Sequence, residues 1–168
     1  MTDTTTNDIE ALVRQLGAAD AGQRAEAAER LCRAGTAAIS AAVPLVRACG
    51  DADDQTREWA AAALEELGPP AAEAIGPLVE LAQSDHSLVA YWAITLLGRS
   101  GQAAASAVDV LARCLSAADL SVAQRAAWAL GKLGPAAAAS RAALGVAAQA
   151  ADPRLARLAA EALDAVGP

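Results

Sequence analysis

The stretch DLSVAQRAAWALGKLG, residues 119–134, opens on an aspartate and closes on a glycine. Between them Val122, Ala126, Leu130 and Leu133 recur at spacings of 4, 4 and 3, which puts them on one face of an α-helix. Asp119 suits the N-cap, Gly134 suits a left-handed residue after the last turn, and Pro135 discourages continuation. The same signals return along the whole chain. Gly35, Gly68, Gly101, Gly134 and Gly167 stand 33 residues apart. Leu31, Leu64, Leu97, Leu130 and Leu163 keep that interval, as do Ala27, Ala60, Ala93, Ala126 and Ala159. A second leucine column, Leu12, Leu45, Leu78, Leu111 and Leu144, marks another part of the unit. Four columns in one register describe an array of small supersecondary units.

Each unit reads as two helices. The first is alanine-rich and centred on the second leucine column, as in PAAEAIGPLVELAQ, residues 70–83. Asp20, Asp53, Asp119 and Asp152 open the second helix in four units, and His86, beside Asp85, reads as a substitute cap in the fifth. Residues 7–17 match only a first helix and 152–166 only a second. The cut therefore gives five units, 7–35, 36–68, 69–101, 102–134 and 135–168, in one repeat domain. The fold class expected is all-α, a right-handed α-solenoid of about ten helices stabilised by neighbouring units. Residues 1–6 form a threonine-rich segment expected to be mobile.

Composition agrees with helices and excludes several classes. Of 168 residues, 55% are hydrophobic but 2% are aromatic and none is Phe. Fifty alanines and twenty leucines favour close-packed helices over strands, which excludes an all-β domain. Such hydrophobicity also excludes disorder. No apolar run approaches the ~18 residues of a membrane span. MTDTTTND (1–8) lacks the basic and apolar parts of a signal peptide, so a cytoplasmic protein without membrane contact is expected. Cys32, Cys49 and Cys114 are widely spaced and read as small buried hydrophobes. The net charge of −7 is uneven: residues 1–84 hold 14 acids and 6 bases, residues 85–168 hold 6 acids and 7 bases.

Two families of similar period do not fit: ankyrin's Thr-Pro-Leu-His segment and the tetratricopeptide Trp/Gly/Tyr pattern are missing. The units resemble instead the short HEAT repeat of the kind found in phycobilisome lyases, whose second helix reads roughly V-R-x-x-A-A-x-A-L-G-x-L-G. VAQRAAWALGKLG (122–134) is similar nearly throughout, TREWAAAALEELG (56–68) is similar, and VAYWAITLLGRSG (89–101) is looser. The family arginine stands at Arg24 and Arg57 but is replaced by Ala90, Ala123 and Ala156. The resemblance thus implies an inter-repeat Asp–Arg ladder that is incomplete in the second half.

Outside the core stripe, the second helix of the fourth unit presents Ser121, Arg125, Trp128 and Lys132. The equivalent residues are Gln55, Trp59, Ala62 and Glu66 in the second unit, and Leu88, Trp92, Thr95 and Arg99 in the third. A neighbouring column runs Ala25, Glu58, Tyr91, Gln124 and Arg157. All four aromatics lie on these two columns. The resemblance implies that this helix lines the concave, partner-docking face. Trp and Tyr dominate such interfaces, so Trp59, Tyr91, Trp92, Thr95, Arg99, Arg125, Trp128 and Lys132 are the candidate partner-binding residues. The other reading stays open: the rings fold over neighbouring rungs, with Trp92 stacked on Arg125. The face grades from Glu26 and Glu29 to Arg99, Arg125, Lys132 and Arg157, which would complement a peptide with an acidic end and an apolar middle.

No constellation for chemistry stands out. One histidine and three scattered cysteines lack zinc-site spacing, no recurrent glycine precedes a Lys-Ser/Thr pair, and no serine sits in Gly-x-Ser-x-Gly. Neither enzyme activity, cofactor nor metal is expected. Related repeats occur in DNA glycosylases, but an acidic chain contradicts nucleic acid as partner. Related lyases hold a bilin, and an aromatic trough could take a flat ring. A third alternative is self-association through the C-terminal helix, where Leu155, Leu158, Leu163 and Val166 have few polar neighbours. The reading that results is a non-enzymatic scaffold binding a protein or peptide.

Overall fold

The computed structural model describes residues 2–167, with side chains from residue 7 onward. Of residues 1–6, the segment expected to be mobile, Thr2 onward is helical backbone, and their side chains lie outside that description. Ten α-helices and no strand occur among the described residues. The chain divides into two compact units, residues 1–74 and 75–168.

The first unit holds α1 (Thr2–Gln15), α2 (Ala21–Ala34), α3 (Ala42–Ala48) and α4 (Asp54–Glu66). Two 3-10 segments accompany them, η1 (Gly35–Ala41) and η2 (Ala72–Ala74). The second unit holds α5 (Ile75–Leu81), α6 (Ser87–Arg99), α7 (Val108–Cys114), α8 (Leu120–Leu133), α9 (Arg141–Ala147) and α10 (Pro153–Val166). Its 3-10 segments are η3 (Gly101–Ala107) and η4 (Gly134–Ser140).

The repeat columns form the core in both units. Ala27, Ala60, Ala93, Ala126 and Ala159 are 0% exposed, as are Leu31, Leu64, Leu97 and Leu130. The other leucine column is buried from Leu12 to Leu144. Each such leucine contributes roughly 1.5–3 kcal/mol by leaving water. The expected caps form at four helices: Asp20 accepts from the Gln23 amide, Asp53 from Thr56, Asp119 from Ser121 and Val122, and Asp152 from Leu155. His86 does not cap α6. Its imidazole makes no cap hydrogen bond, and its own amide donates to Ser84 Oγ at 3.2 Å.

Two local expectations need correction. The first helix of the later units is split into a 3-10 segment and a seven-residue α-helix. The buried pairs Ala38 and Ala41, Ala104 and Ala107, and Ala137 and Ser140 stand three residues apart, and the backbone leaves helical angles at Ala104 (φ −93°, ψ 25°) and Ala137 (φ −93°, ψ 16°), which kinks the segment there. The terminal glycines also differ from a left-handed helix residue. Gly35 and Gly134 have φ of 54° and 58° with ψ of −132° and −136°, a region open to glycine and closed to side chains.

Candidate functional site

The aromatic columns project from α4 in the first unit and from α6 and α8 in the second. Trp59 of α4 is 37% exposed and belongs to the first unit. The remaining candidates fall in the second unit, where the structure sorts them into buried and open groups. Trp92 and Thr95 are inside, at 6% and 3% exposure, and offer no face to a partner. Thr95 Oγ1 donates to the Tyr91 carbonyl at 2.8 Å, which satisfies its hydroxyl. The Trp92 indole N–H finds no hydrogen-bond partner among the described residues.

Tyr91, Arg125, Trp128, Arg99 and Lys132 remain partly or fully open. Arg125 organises them. Its guanidinium carbon lies 4.4 Å from the Tyr91 ring centroid and 5.0 Å from that of Trp128, and it donates to the Tyr91 hydroxyl. Lys132 Nζ sits 5.8 Å from the Trp128 ring, and Arg99 lies 5.9 Å from the Trp92 ring. Tyr91 meets Trp92 edge-on at 5.6 Å. The rings thus pack and stack within the chain, though not in the expected pairing. Trp92 is packed, but its cation is Arg99, while Arg125 stacks on Tyr91 and Trp128. Neither Arg125 nor Lys132 has a carboxylate within 4 Å among the described residues.

Close packing of the second helices builds this arrangement. A Cβ on Gly98 of α6 would meet the Trp128 ring and lie 3.1 Å from the Ala129 Cα of α8. Gly131 of α8 approaches Ala162 of α10 in the same way, at 3.3 Å. Beside Trp128 lie two shallow hollows. One of about 220 Å³ is lined by Tyr91, Gln124, Arg125, Trp128, Arg154 and Leu158. The other, about 300 Å³, runs past Trp128, Lys132, Leu158 and Glu161. Arg154 and Leu158 thus join the site from α10. Their columns were legible in the sequence, but no aromatic marked them.

Thiol chemistry is set against reactivity. Burial pushes Cys49 up to about 12, and it also raises Cys114 and Cys32. No group of three or more His, Cys, Asp and Glu among the described residues could hold a metal. No described helix is long and apolar enough to cross a membrane. At the C-terminal helix, Leu155 and Val166 are buried and Leu158 and Leu163 half-buried, while Arg157, Glu161 and Asp164 are exposed.

A family model of HEAT repeats matches residues 75–164, more than half of the chain. The chain belongs to the HEAT-repeat family. Solved structures share its all-α repeat-solenoid fold. An engineered protein is 25% identical, with a TM-score of 0.66, 94% of this chain covered and 78% of that one. A designed armadillo repeat protein, solved in complex with the peptide (KR)4, is 20% identical at a TM-score of 0.69, covering 99% and 87%. The complex of CpcE and CpcF of phycocyanin lyase from Nostoc sp. PCC7120 contains a chain 19% identical at 0.67, covering 94% and 64%. No curated protein matches. In this HEAT-repeat chain the family arginine is absent at Ala90, Ala123 and Ala156.

Proposed function

We propose that this HEAT-repeat chain is a non-enzymatic binding module that holds an acidic, partly apolar peptide or protein segment against α6, α8 and α10. The observation that carries the reading is Arg125, held between the Tyr91 and Trp128 rings with no carboxylate of its own chain beside it. A guanidinium fixed in this way loses little side-chain freedom on meeting a carboxylate. Trp128 offers the apolar anchor beside it, and the hollows on either side have room for side chains of the segment. Lys132 and Arg154 extend the positive field. The designed armadillo neighbour was solved with a basic peptide. The aromatic-cationic face here calls for the opposite charge.

Peptide display against the purified chain tests this. Enrichment of peptides carrying Asp or Glu next to Leu or an aromatic is expected. A selected peptide should bind Arg125→Gln or Trp128→Ala at least about 10-fold more weakly, or ~1.4 kcal/mol. Selection of basic peptides, or equal binding by both variants with unchanged helicity, sinks the reading.

A further inference from the structure

In the first unit Arg24 fills a slot between consecutive repeats. Its Nε and Nη2 donate to the two carboxylate oxygens of Asp51 at 2.8 Å each. Its Nη1 donates to the carbonyls of Ala18 and Ala19, both at 3.0 Å. Advancing two periods, 66 residues, converts Arg24 to Ala90, Asp51 to Ala117, and the two carbonyl residues to Ser84 and Asp85. All four of these counterparts line one cavity of about 370 Å³ in the second unit. Two alanines thus leave open the space that an arginine–aspartate pair fills in the first.

We propose that this cavity is a binding site for a guanidinium group, supplied by the arginine side chain of another molecule. The acceptors that hold Arg24 Nη1 are repeated here: the Ser84 and Asp85 carbonyls take no hydrogen bond from a protein donor among the described residues. The charge is also appropriate. Asp53, whose field acts on Arg24, has Asp119 as its counterpart, and Asp119 lines the cavity. Asp85 adds a second, exposed carboxylate where the first unit has Ala19 and Ala52. Arg113 also lines the cavity, but its Nη2 is turned to Gln83 Oε1 at 3.0 Å. Arg47 occupies the same column in the first unit, so a cation at that position coexists with a guanidinium in the slot. Guanidinium is preferred to ammonium because its planar fork reaches two neighbouring carbonyls and a carboxylate at once.

The test is a titration of the ¹⁵N-labelled chain with N-acetyl-arginine methylamide, followed by NMR. Saturable shifts are expected at the amides of residues 84–87 and 117–122. The neutral citrulline analogue should bind at least about 10-fold more weakly, having lost the charge. Guanidinium chloride forms a second arm: matching shifts at matching concentration assign the site to the small ion, and tighter binding of the arginine probe assigns it to a side chain. Ala90→Arg/Ala117→Asp rebuilds the pair of the first unit and should abolish the response. Asp85→Asn, which leaves packing intact, should weaken it several-fold. Absence of saturable shifts, equal binding of citrulline, or an unaltered response in Asp85→Asn and in a folded Ala90→Arg/Ala117→Asp chain overturns the proposal.

Discussion

The two units are built on the same columns and are tied together inside by different chemistry. The first uses charge: Arg24 and Asp51 pair with side chains only 16% and 14% exposed, and Arg57 donates to the carbonyls of Asp51 and Ala52. The second has alanine at the arginine positions and uses neutral or singly charged ties. Arg113 Nη2 donates to Gln83 Oε1 at 3.0 Å, and Gln124 Nε2 donates to Asp152 at 2.9 Å. One of its arginines, Arg125, stacks on the Tyr91 and Trp128 rings. The contrast teaches that a repeat can give up an internal ion pair while its apolar columns stay fixed.

The largest test of that comparison removes a core leucine from each unit. Leu64→Ala and Leu130→Ala should each cost about 2–5 kcal/mol, because both side chains are fully buried. Hydrogen exchange should accelerate mainly in α2 and α4 for the first and in α6, α8 and α10 for the second, since repeat stability is local. Uniform acceleration in both variants would erase the distinction between units. Next in size is Gly98→Cys. The same column holds Cys32 in the first unit, yet a Cβ at 98 meets Trp128 and the α8 backbone, so overpacking should cost about 1–3 kcal/mol in thermal unfolding.

Why some of this was legible and some not follows from the range of the interactions. The leucine, alanine and glycine columns and the aspartate caps are local signals repeated four or five times, and each repeat checks the others. The splitting of the first helices was present in the spacing of Ala104 and Ala107, but the same alanines also suit an α-helix. Burial of Trp92 was not legible, because a position on the outer stripe of one helix becomes core only when its neighbours close over it. Arg125 met Tyr91 from 34 residues away, and which ring it would choose depended on rotamers that no period encodes.

Acid should act through hydrogen-bonded aspartates in both units, and the substitutions separate them. The Arg24 hydrogen bond holds Asp51 below the ordinary carboxylate range, and hydrogen bonds from the Ser121 hydroxyl and amide lower Asp119 from 3.8 to about 2. A carboxylate with a depressed folded value stabilises the fold above its unfolded value and loses that contribution as pH falls through the folded one. The melting temperature should therefore drop between about pH 4 and pH 2. Asp119→Asn should flatten the part of this drop read in the second unit, and Arg24→Gln the part read in the first. An identical pH profile for the wild type and both variants contradicts the assignment.

The smallest expected change, Tyr91→Phe, bears most directly on what Arg125 is for. It keeps the ring under the guanidinium and removes only the hydroxyl that accepts its hydrogen bond. Stability should fall by about 0.5–1.5 kcal/mol. If Arg125 serves a partner's carboxylate, affinity for a selected acidic peptide should hold or rise in Tyr91→Phe, since one competitor for its N–H groups is gone, whereas Arg125→Gln should lose it. If Arg125 merely braces α6 against α8, both variants should lower the melting temperature and leave affinity alike. The ratio of affinity change to stability change across this pair therefore separates a binding arginine from a structural one.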